Sequence, residues 1–456
     1  MAGRFLIAAA HKSSGKTVIS TGLAAAFAAA GTSVQTFKKG PDYIDPMWLK
    51  AASGRPCYNL DFNTMGHGEL CDLLASRSAG ADISMIEANK GLFDGVNLDG
   101  SDSNAAMAKI TRSPVVLVVD TSGMTRGIAP LLLGYQAFDP KVRIAGVILN
   151  KVGGARHEGK LRAAVAHYSD LPVLGAIARD ARLEIGERHL GLTTPAETGA
   201  LAQRIRVIGD IVASSVDLRA LQQIAASAGP LAAAPSQDLP FSGPRVRIGI
   251  AQDTAFGFYY PDDLEAFAHA GADLIPIDML NDQSLPPLDG LFIGGGFPET
   301  QMPALSANGA LRAQLKQAIE NGLPTYAECG GLMYLCDTMV WGADRHPMVG
   351  IVPGDAVMYP RPQGRGYARF TNTEVHPWAD PGQEVKAHEF HYAKVEGLPD
   401  IQPYGRRIKR GAGIDGVNDA VILHNLVAGF CHLRNSRENP WVRRFVNFVR
   451  SKKNPA

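Results

Sequence analysis

The feature that most constrains this chain is a six-residue apolar run that breaks at a glycine-rich turn and reopens as a helix. Phe5-Leu-Ile-Ala-Ala-Ala10 leads into His11-Lys-Ser-Ser-Gly-Lys-Thr17, and the Ala-rich stretch Val18 to Ala30 follows. A continuous apolar run suits a strand covered on both faces, as in a parallel sheet flanked by helices. Gly15-Lys16-Thr17 between such a strand and a helix is the setting of a P-loop. Backbone N–H groups around Ser14 and Gly15 and the helix N-terminus can cradle phosphate oxygens. Lys16 then reaches the outer phosphates, and the Thr17 hydroxyl helps hold Mg²⁺. Ala10 stands where G-x-x-x-x-G-K-T would place its first glycine, so the motif is incomplete. The competing interpretation is a Ser/Gly turn that only caps a helix.

The same alternation recurs along the chain. Ile83 to Glu87, Val115 to Asp120 and Ile144 to Asn150 look like buried strands. A second series opens with the strand Val246 to Ala251. It continues through the helix Asp262 to Ala270, the strand Gly290 to Ile293 and the strand Pro324 to Glu328. The predicted fold class is α/β, in two domains. A length of 456 residues requires more than one core. The Ala-, Pro- and Ser-rich segment 227–244 is the expected linker, which leaves 1–226 and 245–456 as domains.

Acidic residues in the first half suit a phosphate site. Asp42 and Asp45 lie in the turn Lys39-Gly-Pro-Asp-Tyr-Ile-Asp-Pro46. Glu87 ends a strand, Asp94 follows in Gly91-Leu-Phe-Asp-Gly95, and Asp120 ends the next strand. Mg²⁺ takes carboxylate and water oxygens together with substrate phosphates. Asp42, Asp45, Glu87 and Asp94 can jointly hold metal or position phosphate; Thr17, Asp42 and Glu87 are the expected metal set, with Asp45 positioning Mg²⁺ or the acyl phosphate and Asp94 catalytic. Asn150, closing its strand, is a candidate for adenine recognition, although a strand-end Asn is commonly only a turn former.

In the second half, Tyr326-Ala-Glu-Cys-Gly-Gly-Leu332 sets Cys329 between a strand and a helix. The helix dipole there favours thiolate, and Gly330 and Gly331 permit a tight elbow. Gly294-Gly-Gly-Phe-Pro-Glu299 supplies Gly295 and Gly296, whose N–H groups can face an oxyanion. A histidine base is needed. Chemistry alone leaves His346, His376, His388, His391, His424 and His432 open.

A formal net charge of +1 argues against a nucleic-acid partner. With no apolar run of about 20 residues, no membrane span is expected. His11 and Lys12 interrupt the N-terminal apolar stretch and Lys16 follows, so it is predicted to be a strand and not a signal peptide. The five cysteines lack C-x-x-C spacing, which suits reduced thiols in the cytoplasm.

Taken together, these motifs resemble the cobyrinic acid a,c-diamide synthase family over nearly the whole chain. The segments that carry the resemblance are Ser14-Gly-Lys-Thr17, Phe37-Lys-Lys-Gly-Pro-Asp-Tyr-Ile-Asp-Pro46, Asn59-Leu-Asp61, Gly91 to Gly95, Gly294 to Glu299, Ala327 to Gly331 and the His432 segment. The resemblance implies a dethiobiotin-synthetase-like P-loop ATPase domain followed by a class I-type glutamine amidotransferase domain. It further implies Cys329 and His432 as the glutaminase pair, without a third acid. ATP and Mg²⁺ are the implied cofactors. Glutamine and a tetrapyrrole are the implied substrates, and a homodimer is compatible with the family. The implied chemistry is activation of acetate side-chain carboxylates by phosphorylation, then displacement of phosphate by ammonia.

Two departures bear on the substrate. Lys12 replaces a smaller residue, and Ala88-Asn89-Lys90 replaces small or apolar ones. Both resemble a branch that amidates sirohaem. Cations for a polyanionic tetrapyrrole are expected among Lys38, Lys39, Arg55 and Lys90. The other interpretations weighed are a related cobyric acid synthase and a non-catalytic P-loop nucleotide switch.

Overall fold

The computed structural model describes residues 2–188, 191–192, 200–231, 241–400 and 402–453. The chain forms two compact units, Met1–Ser236 and Gln237–Ala456. Much of the expected linker, 232–240, lies outside the described residues. Its first part packs on the first unit. There Leu231 joins the core, and Ser227 and Gly229 accept hydrogen bonds from Arg143 and Arg4.

Among the described residues, the first unit's main sheet has seven strands: β1 (Gly3–Ala9), β2 (Val34–Lys39), β3 (Tyr58–Leu60), β4 (Ile83–Glu87), β5 (Val115–Asp120), β6 (Ile144–Val152) and β7 (Val173–Ala178). They run parallel in the order β3-β2-β4-β1-β5-β6-β7. Helices pack on the sheet as the apolar runs require. The Ala-rich helix Lys16–Ala29 crosses the helix Leu201–Ser215 closely because both carry glycine at the crossing. A Cβ on Gly22 would stand 2.4 Å from Val212 Cγ2, and one on Gly209 would stand 2.9 Å from Ala25 Cβ. At the carboxyl ends of β1, β2, β4 and β6 lie Lys16, Asp42, Asp94 and Lys151. Ligands of open parallel sheets bind at this edge.

The second unit's main sheet has nine strands among the described residues: β8 (Val246–Ala251), β9 (Ala272–Ile277), β10 (Gly290–Ile293), β11 (Thr325–Glu328), β12 (Gly364–Asn372), β13 (Glu384–His391), β14 (Tyr404–Arg410), β15 (Asn418–Leu423) and β16 (Leu426–Gly429). The order is β9-β8-β10-β11-β16-β15-β14-β12-β13. The first five are parallel and the remainder antiparallel. The helix Trp441–Lys453 buries Trp441, Val442, Phe445, Val446 and Val449, an i, i+1, i+4, i+5, i+8 stripe. Each such side chain contributes about 1.5–3 kcal/mol of transfer free energy. Trp441 packs into an aromatic cluster with Phe267, Phe292 and Tyr326, which fixes the strand that leads to Cys329.

Candidate active sites

In the first unit, the turn after β1 closes through two residues of positive φ, Ser13 at 65° and Gly15 at 85°. Gly15 is required twice over. Its backbone is left-handed, and a Cβ there would stand 2.3 Å from Asn150 Nδ2. That amide nitrogen donates to the Ser14 carbonyl at 2.8 Å, so Asn150 braces the loop from the end of β6. Ser14 is buried, and its hydroxyl donates to the His11 carbonyl at 2.8 Å. A cavity of about 340 Å³ opens beside Gly15 and Asn150. Arg179, Asp180, Glu184 and Val212 complete much of its wall. Asn150 thus borders a space large enough for a purine while its amide is already committed to the loop.

Lys16, Lys38, Asp42, Asp45 and Glu87 form one ionic cluster, in which Lys16, Lys38 and Glu87 are buried and Asp42 and Asp45 partly so. Thr17 Oγ1 donates to Glu87 Oε1 at 2.9 Å and to Asp45 Oδ2 at 3.2 Å. Lys38 Nζ donates to Glu87 Oε1 at 2.8 Å and also to Asp45, and it stands 3.9 Å from Asp42. Burial lowers Lys16 to about 8, with Lys38 adding to the fall. Burial and then the Asp45 charge push Asp42 up to about 7. Burial raises Glu87 as well. Burial opposes the charge on Asp45 too, but Lys38 outweighs it and holds that carboxyl low.

Burial holds the Asp42 and Glu87 carboxyls up, and a divalent cation at Glu87 would favour its charged form. Glu87 Oε2 is buried with no hydrogen-bond partner. Among the described residues no group of three or more His, Cys, Asp and Glu side chains forms a ready metal cage. A Mg²⁺ ion held by one or two carboxylates, a hydroxyl and phosphate oxygens needs no such cage. Thr17, Asp45 and Glu87 therefore fit it. The expected set named Asp42 instead. The structure puts Asp42 one step out, where its Oδ1 accepts from the backbone N–H groups of Ile44 and Asp45 at 3.0 and 3.1 Å.

Asp94 is exposed, and its Oδ2 accepts from the Gly91 N–H at 2.9 Å; its charge also acts on Lys16. Lys16 Nζ donates to the Lys90 carbonyl at 2.6 Å. Asp120 pairs with Lys151 at 2.7 Å, beside the loop. Of the four expected cations, Lys38 belongs to the cluster and Lys90 is exposed next to it. Lys39 is buried and donates to the Asp102 carbonyl at 2.6 Å. Arg55 is elsewhere. It donates to Gln35, Ser33 and Ala79, near the start of β2, at the opposite end of the sheet from Lys38. Sequence reasoning missed Asn104. Fully buried, it donates to the carbonyls of Asn89 at 2.5 Å and Gly91 at 2.6 Å and so sets the turn that meets Lys16.

In the second unit, Cys329 follows β11 directly and begins the helix Gly330–Leu335 at φ 49° and ψ −102°. Few L-residues occupy that region, and it marks a nucleophile elbow. Its neighbours approach so closely that only glycine fits. A Cβ on Gly331 would stand 2.2 Å from the Ile293 carbonyl oxygen. One on Gly330 would stand 2.9 Å from Pro298 Cδ, and one on Gly295 2.6 Å from His432 Cε1. Of the Gly294–Glu299 amides, Gly294 donates to Tyr259 Oη and Phe297 to the Ala255 carbonyl.

The structure chooses among the six histidines. His432, just beyond β16, hydrogen-bonds Cys329 and faces Glu328 at 3.4 Å. Burial alone would lower it, but bonding to Cys329 and Glu328 raises it to about 10. His388 stacks on its ring at 4.8 Å and is held neutral by burial. His391 pairs with Glu389, and burial drops His376 to about 2. His346 is partly exposed on a separate sheet, and His424 lies in the β15–β16 turn. All five cysteines are free and buried.

Comparison with known proteins decides the family. Residues 5–192 match the CobQ/CobB/MinD/ParA nucleotide binding domain, and residues 247–440 match the CobB/CobQ-like glutamine amidotransferase domain. The cobyrinate a,c-diamide synthase of Magnetococcus marinus is 43% identical, over 98% of this chain and 97% of the relative. That of Methanosarcina acetivorans is 38% identical, over 94% and 92%. That of Dehalococcoides mccartyi is 37% identical, over 97% of each chain.

The chain belongs to the cobyrinate a,c-diamide synthase family. Like other members it joins a nucleotide-binding unit to a glutamine amidotransferase unit, and it is a glutamine-dependent amidating ligase. No helix among the described residues is long and apolar enough to cross a membrane.

Proposed function

We propose that the protein amidates acetate side chains of cobyrinate, consuming ATP with Mg²⁺ in the first unit and glutamine in the second. The observation that carries this is the pairing, in one chain, of a Lys/Asp/Glu cluster at a P-loop with a Cys329–His432 pair at an elbow. The relatives at 36–43% identity bear the name cobyrinate a,c-diamide synthase and supply the substrate.

In the first unit, Ser14, Gly15, Lys16 and Thr17 bind the phosphates, and Asn150 keeps the loop in shape. Thr17, Asp45 and Glu87 would hold Mg²⁺, which would supply positive charge against the phosphates. Asp45 also keeps Lys38 in line with the transferring group. Lys90, with Asp94 across the turn, meets the anionic substrate. A carboxylate becomes a usable electrophile when its oxygen takes the γ-phosphoryl group. Ammonia then attacks that carbonyl, phosphate leaves, and the amide remains.

In the second unit, His432 holds the Cys329 proton, and the thiolate attacks the glutamine amide carbon. The same proton passes to the departing ammonia, and water releases glutamate from the thioester. Gly295, Gly296 and Gly330 line the oxyanion side. The five buried thiols and the chemistry fit a cytoplasmic enzyme. We take 1–226 and 245–456, with a linker between, as the domains; the family matches span 5–192 and 247–440.

Lys12 and Lys90 are exposed beside the phosphate loop, and they favour sirohaem as a second substrate to try. Purified protein with ATP, Mg²⁺ and glutamine should lower the mass of cobyrinate by about one unit per amide as OH gives way to NH₂. If sirohaem changes and cobyrinate does not, the substrate is reassigned. If neither changes while glutamine is hydrolysed, the tetrapyrrole assignment falls.

A further inference from the structure

We propose that Glu328, the residue immediately before the nucleophile, is the positioning acid that orients His432. The glutaminase site is then a Cys329–His432–Glu328 triad whose acid comes from the strand of the cysteine. This rests on the Cys329–His432 assignment and goes beyond the family expectation of a pair without an acid.

Glu328 is 3% exposed and each of its oxygens has a distinct task. Oε1 accepts the Tyr326 hydroxyl at 2.5 Å and the Leu433 N–H at 2.7 Å. Oε2 faces His432 Nδ1 at 3.4 Å. The two Oε1 bonds fix the carboxylate from both sides, one from its own strand and one from the residue after the histidine. Tyr326 is itself held by Arg406, whose guanidinium donates to Tyr326 Oη at 3.1 Å and to Asp419 Oδ2 at 3.3 Å. Asp419 in turn accepts the Phe430 N–H at 2.8 Å, two residues before His432. The chain Asp419–Arg406–Tyr326–Glu328–His432 is therefore anchored at both ends to the segment that carries the histidine.

The other acids nearby are spent. Arg434 pairs with Asp262 and Asp263, and Glu389 accepts the N–H groups of Ala412 and Gly413 and faces His391. Among the described residues, Cys329, Glu328 and His388 act on His432, with Arg434 acting on His388. Glu328 is the one acid among them. An acid on Nδ1 fixes the tautomer that leaves Nε2 for the sulfur, and it favours imidazolium beside thiolate.

The test is Glu328→Gln, which keeps the shape and removes the charge. The kcat for glutamine hydrolysis should fall about 10- to 100-fold, with KM for glutamine within about twofold. Alkylation of Cys329 by iodoacetamide at pH 6.5 should slow about tenfold, and Glu328→Asp should recover part of both. An unchanged kcat with an unchanged pH profile of alkylation overturns the triad. Should Glu328→Gln fail to give a folded protein by near-UV circular dichroism, Tyr326→Phe removes only the hydroxyl that tethers Oε1. Slower hydrolysis and slower alkylation support the triad there, and wild-type values for both overturn it. Cys329→Ser separates the two levels. Hydrolysis that survives in it overturns the pair and the triad with it. Loss in Cys329→Ser alongside wild-type rates in Glu328→Gln overturns the triad alone.

Discussion

The turn after β1 and the turn after β11 both join a buried parallel strand to a helix, and both put a functional group at a helix start. They do so with opposite backbone strategies. At the first turn Ser13 takes a positive φ of 65°, but the residue that opens the helix, at φ 85°, is Gly15, which adopts it freely, and the functional side chains follow at Lys16 and Thr17. At the second, φ 49° and ψ −102° fall on Cys329 itself. Such a conformation costs on the order of 1–3 kcal/mol, which the packing of Gly330, Gly331 and Gly295 around it must hold in place. The difference follows from the task. A phosphate cradle needs backbone N–H groups facing a ligand, and a glycine serves best there. A nucleophile needs one side chain thrust clear of strand and helix, so the residue at the bend must have a side chain.

If the two turns do separate chemistry, breaking one should leave the other intact. The largest effect is expected for Lys16→Ala, which should abolish amide formation from glutamine and from ammonium alike, as followed by product mass. Persistent ammonium-driven synthesis would refute the phosphate role. Cys329→Ser should abolish glutamine-driven synthesis while ammonium still supports it at a pH above the ammonium pKa. His432→Ala should lower glutamine hydrolysis by about 10² or more, with ammonium-driven synthesis spared. A normal rate there would break the assignment. Together the three variants sort the units by nitrogen source.

The strands that lead to each turn were legible because they are continuous apolar runs. β4, β5, β8 and β10 fall on the residues their hydrophobicity marks, and β1, β6 and β11 differ only at their ends. β2 was not legible. Val34–Lys39 ends in two lysines that are buried in the structure, and Lys38 is tolerable there only because Asp45 and Glu87 surround it. The antiparallel half of the second sheet, β12 to β15, was missed as well. Strands such as Tyr404–Arg410 are polar on one face, and their pairing is set by partners far along the chain. Cys329 could be singled out from its glycines. Choosing His432 from six histidines required either the family or the fold, since pairing of β11 with β16 is what brings it to the thiol. Glu328 was overlooked because it looked like the last residue of a strand. Only the register shows that its carboxylate meets the histidine.

The smallest expected effect tests the backbone comparison directly, by moving glycine in opposite directions at the two turns. Cys329→Gly and Cys329→Ala both remove the thiol, so neither hydrolyses glutamine. They differ in who occupies φ 49°, ψ −102°. Glycine escapes the strain of about 1–3 kcal/mol but adds about 0.4–1 kcal/mol of unfolded-state entropy. The glycine variant should therefore be more stable than the alanine variant by about 1 kcal/mol. At Gly15 the same preference is read by taking glycine away. Alanine there keeps the left-handed φ of 85° and adds a Cβ 2.3 Å from Asn150 Nδ2, so the brace from Asn150 to the Ser14 carbonyl must shift. Gly15→Ala should lose at least about 1 kcal/mol and weaken nucleotide binding as the cradle distorts. Urea unfolding followed separately for each unit reads both differences. If Cys329→Gly proves no more stable than Cys329→Ala, the elbow carries no strain, and the contrast between the two turns reduces to one of side chains alone.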